Sequence, residues 1–426
     1  MRALPAEALD DCFAHDRDRL SHADAVRLIT RETRPIAATA CVPLERASGR
    51  FAAAEVHASR DVPGHDNSAV DGYAIRHADL EGGAFTRFAV AARIAAGDAA
   101  ALSLARGEAA RIFTGARVPA GADTVVMQED TAASAGGTVD VPGAVRRGSN
   151  LRRAGEDVGR GDVLVRPGDR LRPQDIAALA SIGLAEVEVF APLRVGILSS
   201  GNEVRRPGSP LGPGGMYDSN SFLLRSLAGA LPVECIDLGI VPDDRAAVED
   251  RLGEAAAGAD LVITSAGASR GEEDHLVRAL AETGRLHAWQ IAVKPGRPLG
   301  LGTYQGTRVL MLPGNPVAVM VCFLLYAVPL ITGLGGGRCR EPRRFRLPAA
   351  FAIDSRKRDR REFLRGMLVE RAGAMAVARY ARDGSGLISS LRAADGLIEI
   401  DEQVAGLAEG DPVAFIPFTE FGLHAG

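Results

Sequence analysis

The chain has 426 residues, 46% hydrophobic and 24% charged, with a formal net charge of −4. That length exceeds one hydrophobic core and indicates roughly three domains, while the acidic balance excludes nucleic acid or an anionic membrane as the main partner. Any anion must be met by a local cluster of cations.

The five cysteines, Cys12, Cys41, Cys235, Cys322 and Cys339, are scattered without a CxxC pair. They indicate neither a disulfide framework nor structural zinc and read as reduced packing residues. The first 20 residues carry Asp10, Asp11, Asp16 and Asp18 and no apolar segment, so no secretory leader is visible and a cytoplasmic location is expected.

Residues 1–57 read as helical and alanine-rich, with Ser21 and Asp24 spaced as a capping pair before AVRLITRET and a break at Pro35. The stretch SRDVPGHDNSAVDGYAIR (59–76) is crowded with turn formers. Its Asp66, Asn67, Ser68 and Asp71 either face one pocket or form an exposed Asx-rich loop. Residues 85–142 alternate short β-rich runs with Gly/Pro turns, which predicts a small all-β module with Thr114-Gly115-Ala116 between a strand and the turn at Pro119. In VRRGSNLRRAGED (145–157), Arg146, Arg147, Arg152 and Arg153 form either an anion clamp or a solvated patch. A turn, a helix starting near Pro173 and Asp175, and a strand then lead into a new domain.

Between 191 and 335 the apolar runs 194–198, 233–238, 261–264 and 309–312 alternate with helical stretches, the pattern of a parallel sheet covered on both faces. The loops SSGNEV, GIVPDD, SAGASRGEEDH and PGNP follow these runs and should converge at one sheet edge, bringing Glu203, Asp243 and Asp274 together. The third loop (259–275) is either an ordinary strand-to-helix turn or a ligand loop. In the second reading Ser265, Gly267, Ser269 and Gly271 let backbone N–H groups approach a phosphate, and Glu272, Glu273 and Asp274 supply oxygens for its divalent cation. VKPGRP adds Lys294 and Arg297 on a proline-stiffened loop, and no GxxxxGK[ST] loop occurs.

The uncharged run VAVMVCFLLYAVPLITGL (317–334) has Asn315 and Pro316 in front as a helix start and Pro329 near its end, and reads as a buried domain helix rather than a membrane span. From Pro342 onward short β runs return, predicting a small barrel or sandwich, with Arg365 and Ser385 in polar interruptions.

DVPGHDNSAVDGYAIR, IFTGARVPAGADTVVMQED, NLRRAGED, SSGNEV, MYDSN, SAGASRGEEDH, AVKPGRP with LPGNP, and FLRG together resemble the molybdopterin molybdenumtransferase (MoeA) family, related to the C-terminal part of gephyrin. The match runs in order from about Pro35 to the C-terminus. The resemblance implies insertion of molybdate into adenylylated molybdopterin with release of AMP, in a Mg²⁺-dependent step, by an elongated homodimer whose site faces the Asx-rich segment of the partner subunit. It also implies a multidomain α/β plus β fold: 1–57 with 155–190 as a helical/extended domain, 58–154 β-rich, 191–335 the molybdopterin-binding α/β domain with a central parallel sheet, and 340–426 a C-terminal β barrel. The adenylyltransferase that makes the intermediate and molybdoenzyme apoproteins are candidate protein partners.

Carried over by position, the resemblance assigns catalytic roles to Glu203, Asp71, Asp274 and Lys294. Metal binding falls to Glu203, Asp243 and Asp274. Substrate contacts fall to Thr114, Arg152, Lys294, Arg365 and Ser385, with Lys294 and Arg365 on molybdate or phosphate oxygens, and the loop pattern read above adds Asp243, Ser265, Gly267, Ser269 and Arg297 as substrate-binding candidates. Asn202 stands where a family Asp is usual, Ala266 where a second glycine is usual, and Gln290 and Arg297 where some members have Lys. A tungstate-inserting paralogue and a non-catalytic molybdopterin-binding scaffold or sensor are the alternatives.

Overall fold

The computed structural model describes residues 19–98, 102–134, 136–266, 275–283 and 285–423. Its centre is a six-stranded sheet built on the apolar runs: β1 (Leu193–Ser200), β2 (Val233–Val241), β3 (Leu261–Ser265), β4 (Arg285–Gln290), β5 (Pro298–Tyr304) and β6 (Thr307–Leu312). The spatial order is β2-β1-β3-β6-β5-β4. β2, β1, β3 and β6 are mutually parallel, whereas β5 runs antiparallel to both its neighbours, β6 and β4, so the sheet is mixed. Periodicity finds only the parallel strands because β5 is glycine-rich. A Cβ at Gly300 would lie 2.1 Å from Met311 Cε, so the glycine is there to admit the neighbouring side chain.

Helices cover both faces. α3 (Arg245–Gly258) and α4 (His275–Thr283) lie on one, where Val248, Leu252, Leu276 and Leu280 pack on Leu198, Val262 and Met311. On the other, α2 (Asn220–Ala228) and α5 (Pro316–Leu334) pack on Val195, Ile197, Ile263 and Leu310. α5 is long and apolar enough to cross a membrane by length and composition, yet 83% of its most apolar window is buried inside the fold.

The same core takes in α1 (His22–Glu32), through Ala25 and Ile29, and Phe363, Leu397 and Ile416 of the C-terminal sheet. Ser21 caps α1, its hydroxyl accepting from Asp24 N–H at 3.1 Å. His22 is 4% exposed, with Nδ1 3.0 Å from the Tyr326 hydroxyl and its ring edge-on to Phe363 at 5.3 Å. Tyr326 sits in a π-helical turn, Phe323–Ala327, within α5. Burial pushes His22 down to about 4, against the opposing influence of Glu399.

The unfolded chain therefore takes up the His22 proton more readily than the folded one, so stability is full above the ordinary histidine value and falls as pH drops toward 4. At about pH 5 the expected loss from this group is about 2 kcal/mol. Urea denaturation of the parent protein and of His22→Gln at neutral and mildly acid pH measures it. An identical acid loss in both proteins would remove His22 as the cause.

The C-terminal sheet contains β7 (Phe345–Pro348), β8 (Arg361–Arg371), β9 (Ala374–Arg379), β10 (Gly396–Ile400) and β11 (Pro412–Pro417). They pair in the order β9-β8-β10-β11-β7, and Ala349 bridges Val377 of β9, so the path returns to its start. Val293–Lys294 adds a short parallel strand to β8, tying this sheet to the α/β unit.

Before the α/β unit, Thr39–Pro43 pairs with Glu186–Phe190, and the helix Pro173–Ser181 shares their core through Leu179. A third six-stranded sheet includes Gly72–Ile75 between Thr124–Met127 and Glu108–Ile112. Gly72 is required there, since a Cβ would fall 1.9 Å from the Val126 carbonyl oxygen. The described cysteines are free; Cys322 is buried as expected, but Cys41 is exposed because its strand pairs only on one side, near Glu186.

Candidate functional site

The site forms where the parallel strands end. After β1 the chain turns at Gly201, which has φ +140° and hydrogen-bonds through its N–H to Val241 O at the end of β2. A Cβ at Gly201 would lie 2.7 Å from Glu203 Oε2, so glycine leaves room for the carboxylate to fold back over the turn. Asn202 N–H donates to Asp243 Oδ2 at 3.0 Å, and Asp243 N–H donates to Asn202 Oδ1 at 3.2 Å. The reciprocal pair locks the two loops and places the Glu203 and Asp243 segments side by side. An aspartate at 202 would put a second negative charge against Asp243, so Asn202 braces the edge without like-charge repulsion.

β3 ends on Ser265, which is 3% exposed with its hydroxyl 3.3 Å from that of Ser199; it is a buried strand residue. Ala266 then adopts φ +81°, its N–H donating to Leu312 O at 3.1 Å. An L-residue with a Cβ is strained in that region. Ala266→Gly is expected to raise stability by about 1 kcal/mol, read as a higher midpoint in thermal or urea unfolding. A lower midpoint would show that the alanine methyl packs more favourably than its backbone strains. Beyond Ala266, Gly267, Ser269 and Asp274 lie outside the described residues. Gly314, in the turn after β6, packs against Ala266.

On the far side of that turn stand residues from the C-terminal sheet. Val317 N–H, at the start of α5, donates to Ser385 O at 2.9 Å. Arg365 in β8 is 5% exposed, and its guanidinium donates to Ser390 Oγ and to Arg382 O, each at 3.1 Å. No carboxylate forms an ion pair with it among the described residues. Burial holds its pKa below the ordinary arginine value. A buried cation with only neutral partners is poised to receive an anion.

Lys294 lies at the seam, with Nζ 3.8 Å from the buried Glu362 carboxylate. Arg297 donates to Gln290 Oε1 at 2.8 and 3.2 Å, so the glutamine at 290 serves as acceptor for the neighbouring cation.

Asp71, Thr114 and Arg152 form a separate group on the N-terminal β module. Thr114 donates to Asp71 Oδ1 through its N–H at 2.9 Å and its hydroxyl at 2.8 Å. These donors, the backbone one first, hold the Asp71 carboxyl below the usual range and keep it ionised. The segment 151–152 pairs with 67–68, setting Arg152 beside Asn67. Of the neighbouring arginines, Arg147 is paired with Asp123 and Arg153 with Asp66, while Arg146 and Arg152 form no ion pair among the described residues. Among the described residues, no hydrogen bond or ion pair joins this group to the Glu203 edge.

The structure thus brings the Glu203 and Asp243 loops together, sets Ser385 against the start of α5 with Arg365 held by the 382–390 segment, and leaves Asp71, Thr114 and Arg152 apart. Among the described residues no three His, Cys, Asp or Glu side chains cluster as a metal site. Sequence reasoning quoted MYDSN only as part of the resemblance and assigned no role to Asp218, Asn220 or Ser221, which sit at the same edge. Their signal was the Asx-rich DSN immediately before the apolar run FLLRSLAGAL.

Fold and site define a multidomain protein organised around an α/β sheet whose strand ends carry acids on one side and a buried cation on the other. Family models match the MoeA N-terminal region (domains I and II) at 20–183, a probable molybdopterin binding domain at 196–333 and the MoeA C-terminal region (domain IV) at 346–418. A molybdopterin molybdenumtransferase from Haemophilus influenzae is 36% identical over 88% of this chain and 93% of its own length. Molybdopterin molybdenumtransferase 2 from Mycobacterium tuberculosis is 36% identical over 91% and 96%. The crystal structure of a molybdopterin biosynthesis MoeA protein from Pyrococcus horikoshii superposes with a TM-score of 0.81 at 29% identity, covering 94% of this chain and 100% of that one. The chain belongs to the molybdopterin molybdenumtransferase family.

Proposed function

We propose that this protein inserts molybdate into adenylylated molybdopterin with release of AMP, giving the molybdenum cofactor. The observations that carry the reading are the buried Arg365 guanidinium, without a carboxylate ion pair among the described residues, and a strand edge that presents Glu203 and Asp243. A substrate with phosphates and a second, tetrahedral oxyanion needs both signs of charge in one cleft. Arg365 and Lys294 receive oxyanion or phosphate oxygens, with Arg297 beside them, and Ser385 lines the junction where α5 begins.

The acids fit a magnesium ion in donor chemistry: hard carboxylate oxygens on two adjoining loops, one of them held by Asn202. Glu203 and Asp243 would hold it, with Asp274 as a further ligand. When bound, the ion neutralises charge on the phosphate oxygens. Asp71, Thr114 and Arg152 complete the site of a partner subunit in a homodimer; their separation from the Glu203 edge in one chain supports that assignment. We keep the four-domain division given by the sequence and a cytoplasmic location as part of this reading.

AMP release from molybdopterin adenylate, measured with Mg²⁺ and with molybdate, tungstate or no oxyanion, tests it. Release that depends on molybdate supports the insertase. Dependence on tungstate alone makes the chain the tungstate-specific relative, and tight adenylate binding without release under any oxyanion makes it a scaffold.

A further inference from the structure

Three oxygens within four residues at the start of α2 are buried and have no hydrogen-bond partner among the described residues: Asp218 Oδ2, Asn220 Oδ1 and Ser221 Oγ. Asp218 is 4% exposed and Ser221 2%. Two of the groups are held in place. Asp218 Oδ1 accepts the Ser221 N–H at 3.0 Å, and Asn220 Nδ2 donates to Gly314 O at 2.6 Å, so the remaining oxygen of each side chain has a defined direction.

The three oxygens belong to the strand edge already described. Met216 N–H donates to Glu203 O at 2.9 Å and Asp218 N–H to Arg205 O at 2.8 Å, which ties the segment to the Glu203 loop. Asn220 ties it to the turn after β6, where Gly314 meets Ala266. Buried acceptors left without donors are unfavourable until a ligand or water supplies the protons.

We propose that Asp218 and Asn220 recognise the donor edge of a 2-amino-4-oxo-pteridine ring, with the Ser221 hydroxyl completing the pocket. The proposal rests on the molybdopterin reading above and assigns the part of that substrate which carries no charge. A ring nitrogen N–H and the adjacent exocyclic amino group present two donors side by side, matching Asp218 Oδ2 and Asn220 Oδ1. The same three oxygens resemble a cation site in donor type. The positive end of α2, a nine-residue helix, opposes a cation there and tolerates a neutral ring.

The test uses the full chain and two probes, pterin and lumazine; lumazine carries an oxo group in place of the amino group at the same ring carbon. The parent protein is expected to bind pterin at least tenfold more tightly than lumazine by ligand-observed NMR or calorimetry. Asp218→Asn keeps the cap to Ser221 N–H and replaces Oδ2 by an NH₂ donor, so the preference should shift toward lumazine by at least tenfold. Asn220→Ala should lose preference without reversing it, and serves if Asp218→Asn does not fold.

Equal binding of both probes by the parent protein, or an unchanged preference in both variants, overturns the proposal and leaves a water-filled pocket. Binding of Mg²⁺ alone that is lost in Asp218→Asn, with no pteridine preference, overturns it in favour of a cation. The AMP-release assay on the same preparations separates the two ideas. A pteridine preference without release sustains the subsite and removes the insertase, whereas release without a preference does the reverse.

Discussion

Glu203→Ala is expected to lower oxyanion-dependent AMP release by about 10²–10³-fold, the range for removing one preorganised electrostatic partner of a reacting group. The residue stands on a turn whose geometry exists to accommodate its carboxylate. Gly201 leaves space for Glu203 Oε2, and the Asn202–Asp243 pair fixes the turn on the neighbouring loop. Because Glu203 is exposed, its loss should leave the unfolding midpoint nearly unchanged, within about 0.5 kcal/mol. Activity and midpoint measured on one preparation separate a chemical role from a structural one. Full activity would remove Glu203 from the site; a collapsed midpoint would make it a structural residue.

Arg365→Met is expected to separate activity from stability in the opposite sense. Arg365 is 5% exposed and, among the described residues, hydrogen-bonded to a serine hydroxyl and a main-chain oxygen, so the folded protein carries a buried charge that Asp383 offsets only without an ion pair and that burial penalises more. An apolar side chain of similar volume removes that desolvation penalty, and the midpoint should stay level or rise. Charge-assisted hydrogen bonds to an oxyanion would be lost, raising the half-saturating oxyanion concentration by about 10- to 100-fold. Titration with molybdate, followed by unfolding of the same variant, gives both readings. A lower midpoint with unchanged oxyanion dependence would make Arg365 a scaffold residue that holds the 382–390 loop.

The two variants probe the acidic and the cationic part of the proposed site, and three neighbouring residues shape the loops around them. Asn202, where the resemblance implies an acid, joins the first two strand ends through its main-chain N–H and its side-chain oxygen. Ala266 keeps the turn at the cost of backbone strain. Gln290, where the resemblance gives some members a lysine, engages Arg297. Each departure is accommodated locally, and none disturbs Glu203, Asp243 or Arg365.

By itself the sequence determined the parallel strands, the buried nature of 317–334, the capped start of α1 and the family. Each of these is written in neighbouring residues as an apolar period, a cap spacing or a contiguous motif. It also named Glu203, Asp243 and Arg365 as site residues. Only the tertiary structure decided that Ser265 is a buried strand residue, that Arg365 lacks a carboxylate partner among the described residues, and that Asp218 and Asn220 present free acceptors at the strand edge. Those properties depend on contacts between distant segments, such as Asn202 with Asp243 and Asn220 with Gly314. A side chain's burial and its unused hydrogen-bonding capacity exist only once those segments meet, so no local pattern can encode them.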